Sequence, residues 1–338
     1  MSSSSSAPNQ PPEIFVVEEC RGVLRVFNDG SILRSTEPSF IMPVEDDGSI
    51  EFADAVFDAN LNLLLRLYRP RHRLPTDPPK LPIFFYFHGG GFCIGSRTWP
   101  NFHNYCLRLA ADLRAIIVSP DYRLAPEDRL PAAINDSFAS ILWLRSQALS
   151  PHPNPLLQDG DFSLVFISGD SAGGNIAHHL AVRFGSDLGR AELEPVSIRG
   201  FVLLMPFFGG TQRTRSEETC PPDAFLNLEV NDRFWRLAMP VGSTTDDPIS
   251  NPFGPGGPAL REVQFGPMLV VVGGEDLLRD RAVEYAERLK EWGKPVEVIN
   301  FDGQPHGFFT FQPRSEPANR LMQSIRRFMV ENGCHKLD

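Results

Sequence analysis

Three things are scarce in this sequence: basic charge, cysteine and long apolar runs. The 338 residues carry 32 Lys and Arg against 42 Asp and Glu, a formal net charge of -10, and the basic residues are scattered rather than run together. Nucleic acid is therefore not an expected partner, because phosphate recognition needs clustered cations. No apolar stretch approaches the ~18 residues of a membrane span, the longest lying near residues 200–208. Five cysteines (Cys20, Cys93, Cys106, Cys220 and Cys334) are widely spaced and form no CxxC or Cys/His cluster, which speaks against disulfides and structural zinc. Cys93 reads as a small buried apolar side chain. The opening residues 1–12 are rich in Ser and Pro. They offer neither the basic n-region nor the apolar h-region of a secretory signal, so the expected location is cytoplasmic and this segment is expected to be disordered.

Tyrosine is also rare, 5 residues against 26 Phe, whereas proline is in excess at 31 residues, about 9%, where ~5% is usual. Seven of those prolines fall in residues 207–266 and five in the first 43. With 42% hydrophobic and 22% charged residues the composition is that of an ordinary globular chain, long enough to bury a large core.

Alternating apolar and polar residues over 23–27, 49–57 and 61–68 predict half-buried strands, antiparallel and at the edge of a sheet. From residue 81 the pattern changes to short continuous apolar runs at 83–87, 115–119, 164–168, 200–205, 268–272 and 296–301. Such runs are the mark of parallel strands buried on both faces. Helical patterns near 102–113, 132–147, 172–184, 280–292 and 317–331 alternate with them at βαβ spacing. That alternation predicts an α/β fold, an open, mostly parallel sheet with helices on both faces. Residues 207–266 break the rhythm. They are rich in Pro and Gly, with one helical patch near 231–239, and a structureless loop of that length is improbable in a compact domain. The expectation is one catalytic α/β domain carrying an inserted cap.

Chemistry is concentrated where the apolar runs end. Gly169-Asp170-Ser171-Ala172-Gly173-Gly174 leaves a strand and enters a helix. This is the context a nucleophile elbow needs, because small glycines let the chain reverse while lifting the Ser171 hydroxyl above the sheet. The helix N-terminus at Ser171 favours developing negative charge. His88-Gly89-Gly90-Gly91 follows another strand, and three glycines expose backbone N–H groups suited to an oxyanion. A phosphate-binding P-loop is excluded by the missing Gly-Lys-Ser/Thr.

A serine nucleophile needs a base, and the base needs an orienting carboxylate. Downstream of the elbow helix only His306 and His335 remain, and His335 is the fourth residue from the C-terminus. His306, in a loop just after 296–301, is the better base. In Gly273-Gly274-Glu275-Asp276, after 268–272, Asp276 is preferred to Glu275 because its shorter side chain suits a fixed bond to imidazole Nδ1. Asp280 reads as the N-cap of the next helix. All these groups fall at carboxyl ends of parallel strands, where open α/β sheets bind ligands. Other polar groups are read as structural. His178-His179 is adjacent rather than i, i+4 and so no metal pair, the charges of Asp121–Glu127 form an ion-pair turn, and Phe308, Phe309 and Phe311 are core or pocket wall.

Together, His88-Gly-Gly-Gly-Phe92, Asp121-Tyr-Arg-Leu-Ala-Pro-Glu127 with Pro131-Ala-Ala133, Gly169-Asp-Ser-Ala-Gly-Gly-Asn175, Asp276-Leu-Leu-Arg-Asp280 and His306-Gly-Phe308 resemble the hormone-sensitive-lipase group of α/β-hydrolases. Within it, the chain is most similar to plant carboxylesterases, the branch that also holds the gibberellin receptors. The match spans roughly residues 15 to 332. The resemblance implies an α/β-hydrolase fold and oxyanion N–H groups from Gly89, Gly90 and Ala172. It also implies that His88, with Gly91, supports the loop, and that a cap is contributed by about residues 1–45 and 207–266. Asp128 stands where many relatives carry His.

The expected function is a serine carboxylesterase acting on small, neutral esters of short to medium acyl chain through an acyl-enzyme, with no metal or organic cofactor. Gibberellin receptors look like the same scaffold with the catalytic histidine replaced, so a hormone-binding protein is the first rival, and the presence of His306 weighs against it. Isoflavanone dehydratases resemble the same branch, which makes a lyase the second. Oligomeric state is left open.

Overall fold

The structure, a computed structural model, describes residues 13–35, 37 and 42–333. The Ser-rich start, Cys334 and His335 lie outside these. Two compact units divide the chain between Phe40 and Ile41. The first holds a three-stranded antiparallel sheet of β1 (Val16–Cys20), β2 (Leu24–Phe27) and β3 (Ile32–Arg34). The pattern at 23–27 is therefore a strand, but it pairs with β1 and β3 rather than at the edge of the main sheet.

The second unit is built on an eight-stranded sheet. In chain order it contains β4 (Ile50–Asp58), β5 (Leu63–Pro70), β6 (Leu81–Phe87), α1 (Pro100–Leu113), β7 (Ile116–Pro120), α2 (Ala132–Leu149), β8 (Gly160–Asp170), α3 (Ala172–Phe184), α4 (Asp187–Leu193) and β9 (Ile198–Leu204). There follow α5 (Arg215–Glu218), α6 (Leu228–Ala238), β10 (Met268–Gly273), α7 (Arg279–Glu291), β11 (Val296–Phe301), α8 (Phe308–Phe311) and α9 (Glu316–Gly333). The strand order is β11-β10-β9-β8-β6-β7-β5-β4. From β6 to β11 every pairing is parallel, while β5 is antiparallel to β7 and β4 to β5. The antiparallel edge is the one the alternation at 49–57 and 61–68 predicts.

Continuous apolar runs build this core because parallel strands are covered on both faces. Ile83, Phe84, Phe85, Tyr86 and Phe87 of β6 and Val165, Phe166 and Ile167 of β8 are fully buried. Helix α3 packs against β6, β8 and β9, and α1 packs against β5, β7 and α9. Phe328 of α9 meets Phe166 edge-on at 6.2 Å. The crossover reverses at β6, whose two neighbours are β7 and β8. Strand-order reversal opens a crevice at the carboxyl ends of the strands, and the loops after β6 and β8 flank it.

Between β9 and β10 the Pro-rich segment 207–266 carries only α5 and α6 as helices. It is pinned to α7 by polar contacts. Arg281 of α7 donates to both carboxylate oxygens of Glu217 and to the carbonyls of Gly209, Gly210 and Gln212. Such a carbonyl-rich anchor replaces the backbone pairing that a segment without strands cannot supply. Among the described residues no helix is long and apolar enough to cross a membrane.

Candidate active site

Ser171 stands between β8 and α3 with φ 53° and ψ -115°, a left-handed conformation that a non-glycine residue adopts only under constraint. Three backbone bonds impose it. Ser171 N donates to Leu204 O at 2.9 Å, and Ser171 O accepts from Phe207 N at 2.8 Å and from Asn175 N at 3.1 Å. The elbow glycines are there for space. A Cβ on Gly173 would collide with the Phe87 carbonyl group, one on Gly169 with the Gly173 backbone, and one on Gly174 would sit 2.9 Å from Pro206 Cα. Gly173→Ala should therefore force α3 off β6 and destabilise by about 1–3 kcal/mol, seen as a lower Tm in thermal unfolding. Ser171 occupies the N-cap position of α3, so the Ala172 N–H is one of the first-turn donors that a helix leaves without an intrahelical partner.

The glycine loop leaves β6, the strand paired with β8 in register Phe87↔Gly169, so it starts beside the nucleophile. His88 is buried. Its Nδ1 lies 2.8 Å from Gly89 O, its carbonyl accepts from Tyr122 Oη at 2.7 Å, and its ring stacks on Tyr122 at 4.5 Å. Burial pushes its pKa down, so the ring is a neutral brace. Gly90 and Gly91 have φ of +117° and +59°, and a Cβ on Gly91 would enter the Phe234 ring of α6. The insertion is thus pressed against this loop: Phe92 packs on Trp235 at 6.1 Å, and Trp235 stacks on Phe207 at 4.0 Å.

Asp276 and His306 come from the loops after β10 and β11 and meet. His306 Nδ1 is 2.7 Å from Asp276 Oδ2, with Asp276 almost fully buried and His306 nearly so. Asp276 Oδ1 accepts from Leu278 N at 3.0 Å. β11 is three strands from β8, ~14 Å at the usual spacing, so the histidine loop must lean back over β10. Gly273 and Gly274 permit this. A Cβ on Gly273 would lie 2.6 Å from Gln304 O, and one on Gly274 would lie 2.8 Å from Gly303 N. The returning loop is tied down by Glu275 N donating to Gln304 O and by Gly307 N against Met205 Sδ at 3.2 Å, just past β9.

The imidazole of His306 is held above its ordinary pKa. Burial works against the charge, and the bonded Asp276 carboxylate, with Asp170 beyond it, outweighs that penalty. A base works only when neutral, so if His306 serves as one, activity should rise with pH through a value above the usual ~6.5 of histidine. The acid limb of a kcat/KM profile reads this directly.

Asp170, the residue before the nucleophile, was not singled out by the sequence. It is buried, and its Oδ1 accepts from Tyr86 Oη at 2.6 Å. Asp280 is not a helix N-cap. α7 begins at Arg279 after Leu278, and Asp280 instead accepts from Ser216 N at 2.7 Å, while the Ser216 hydroxyl donates to Leu277 O at 2.7 Å. That link spans 64 residues and joins the insertion to the Asp276 loop. Asp121–Glu127 does hold structural ion pairs: Asp121 with Arg97, and Arg123 with Asp136 and Asp128. His178 bonds Tyr285 Oη at 2.9 Å and His179 bonds Ile249 O at 3.1 Å. No cluster of metal-binding type occurs among the described residues. Phe308 and Phe309 are buried, and Phe311 packs on Phe225 at 4.6 Å. A separate cavity of about 700 Å³ opens between the insertion and Arg129, lined by Thr211, Trp235, Met239 and Thr244 among others; none of Ser171, Asp276 and His306 borders it.

Residues 84–310 match the family model described as alpha/beta hydrolase fold. The chain belongs to the α/β-hydrolase family. Among its relatives, "Probable carboxylesterase 6" of Arabidopsis thaliana is 37% identical over 279 residues, covering 80% of this chain and 79% of that protein. "Gibberellin receptor GID1B" of the same plant is 35% identical over 287 residues, 80% and 76% of the two chains. A hyperthermophilic esterase from the archaeon Pyrobaculum calidifontis superposes with a TM-score of 0.68 at 29% identity, over 86% of this chain and 84% of its own. This α/β-hydrolase is thus similar both to esterases and to a hormone receptor, and its own site must discriminate between them.

Proposed function

We propose that this α/β-hydrolase is a serine carboxylesterase. Ser171 attacks the ester carbonyl while His306 takes its proton, Asp276 holds the imidazole with its proton on Nδ1, and the leaving alcohol receives the proton from His306. Water then enters, His306 acts again as base, and the acyl group leaves as a carboxylic acid. The amides of Gly90 and Ala172 are the proposed oxyanion donors, and Gly89, whose N–H is bonded to the Asp170 carboxylate, can join them only by sharing that proton. Donors fixed in this way act without reorganisation when charge develops. No metal or organic cofactor has a part in these steps. The insertion 207–266 is proposed as a cap that walls the substrate pocket, through its contacts with the glycine loop.

The observation that carries this reading is the 2.7 Å pair of His306 Nδ1 and Asp276 Oδ2. A pocket that only bound a hormone would have no use for an imidazole raised in basicity and held in one tautomer. The test is hydrolysis of p-nitrophenyl esters from acetate to decanoate. Turnover greatest at short to medium acyl length is the expected result. A protein that released no nitrophenol but bound a gibberellin would be a receptor, and one that instead dehydrated a 2-hydroxyisoflavanone would be a lyase.

A further inference from the structure

One of the five tyrosines, Tyr86, bonds the carboxyl group of Asp170, and Tyr105 packs against Tyr86 at 5.0 Å. Asp170 ends β8 directly before the nucleophile and is 6% exposed. Its Oδ1 takes the Tyr86 hydroxyl at 2.6 Å. Its Oδ2 lies against Gly89, where an added Cβ would overlap it and sit 3.1 Å from Ser171 Cβ. One carboxyl group therefore touches the strand that carries the glycine loop, the first glycine of that loop, and the peptide that carries Ser171. Asp170 forms no ion pair with Lys or Arg among the described residues, and a buried carboxylate without one is costly. Its presence at this place asks for another reason.

We infer that Asp170 is a positioning residue of the reaction: it clamps the first glycine of the oxyanion loop against the nucleophile strand and presents a second negative charge to His306. The inference rests on the esterase reading for its catalytic part. The titratable groups within electrostatic reach of Asp170 are Tyr86 from β6, Tyr105 and Cys106 from α1, Tyr122 from the loop after β7, and His306. Burial raises the pKa of each tyrosine and pushes the Cys106 thiol up to about 12, so His306 is the one member able to be cationic near neutrality. Asp170 itself is raised by burial to about 6, against the pull of Tyr86, His306 and the Gly89 amide. It is thus ionised in the range where a neutral His306 works. When His306 takes the serine proton, the imidazolium forms between two carboxylates, and the second one favours it through a water-poor site.

Asp170→Asn keeps the shape and an oxygen for the Tyr86 hydroxyl while removing the charge. The expected result is a His306 imidazole that titrates at lower pH by NMR. For p-nitrophenyl butyrate, kcat should fall roughly tenfold with KM little changed, less than the 10²–10³ lost when an oxyanion donor is deleted. A residue with a purely structural role would lower Tm without moving the His306 titration. Tyr86→Phe serves if the first variant does not fold. It removes a hydroxyl that favours the ionised carboxyl, so activity should fall at acid pH and recover at alkaline pH. The inference is overturned if His306 titration and kcat in Asp170→Asn stay within twofold of wild type, or, with that variant insoluble, if Tyr86→Phe matches wild type at every pH. If wild type itself releases no nitrophenol, the esterase reading fails, and the NMR titration alone still decides whether Asp170 acts on His306.

Discussion

Ser171→Ala is expected to lower kcat for p-nitrophenyl butyrate by roughly 10⁴–10⁶. The loss is this large because nucleophile and base act as a unit: without the hydroxyl, His306 has nothing to activate but water. Tm should stay close to wild type, since the strained backbone at Ser171 is imposed by main-chain bonds to Leu204, Phe207 and Asn175 that alanine keeps. The hydroxyl is small, so its removal leaves little void. A residual rate of roughly 10³–10⁴ above water should persist, supplied by the oxyanion donors and substrate binding. Steady-state kinetics on the variant beside wild type measures both numbers.

Asp276→Asn should cost nearly as much, about 10⁴ in kcat, and the reason can be traced atom by atom. Oδ1 of Asp276 accepts from Leu278 N, and Oδ2 faces His306 Nδ1. An asparagine keeps its oxygen on the Leu278 amide, because two N–H groups cannot face each other. Its NH₂ then points at His306 Nδ1, which must accept. The proton of the imidazole moves to Nε2, and the face needed to take the serine proton is blocked. The same change removes the largest charge that favours protonated His306. The acid limb of the residual activity should therefore move to lower pH, and a pH profile of kcat/KM checks this sign independently of the size of the loss.

The elbow and the glycine loop stand out in the sequence because a backbone requirement dictates residue type there, whereas Asp276 and His306 stand out by their order after the elbow and their place just past strand ends. Gly169 and Gly173 sit within contact distance of other main chains, so no larger residue could stand there, and the motif survives as letters. Continuous apolar runs marked the parallel strands for a similar reason, burial on both faces. Less local features left no trace. β1 reads Val-Val-Glu-Glu-Cys, with no period of two, and β3 has only three residues, so the small sheet was not foreseen. Asp280 looked like a cap because capping is the local use of an acid before a helix, whereas its partner Ser216 lies 64 residues away. Gly273 and Gly274 were visible as letters, but their purpose, letting the histidine loop cross back over β10, depends on the order of three strands. Outside the helical patch that forms α6 the insertion has no period, and its anchoring by Arg281 rests on three carbonyls that any residue could supply and on the Glu217 carboxylate.

Covalent labelling with a fluorophosphonate followed by peptide mass spectrometry reads whether Ser171 is a nucleophile activated by His306. One phosphonyl group per chain is expected, located on Ser171, absent in Ser171→Ala and formed far more slowly in His306→Ala. An enzyme that hydrolyses esters yet takes no label, or takes it on another residue, would contradict the account.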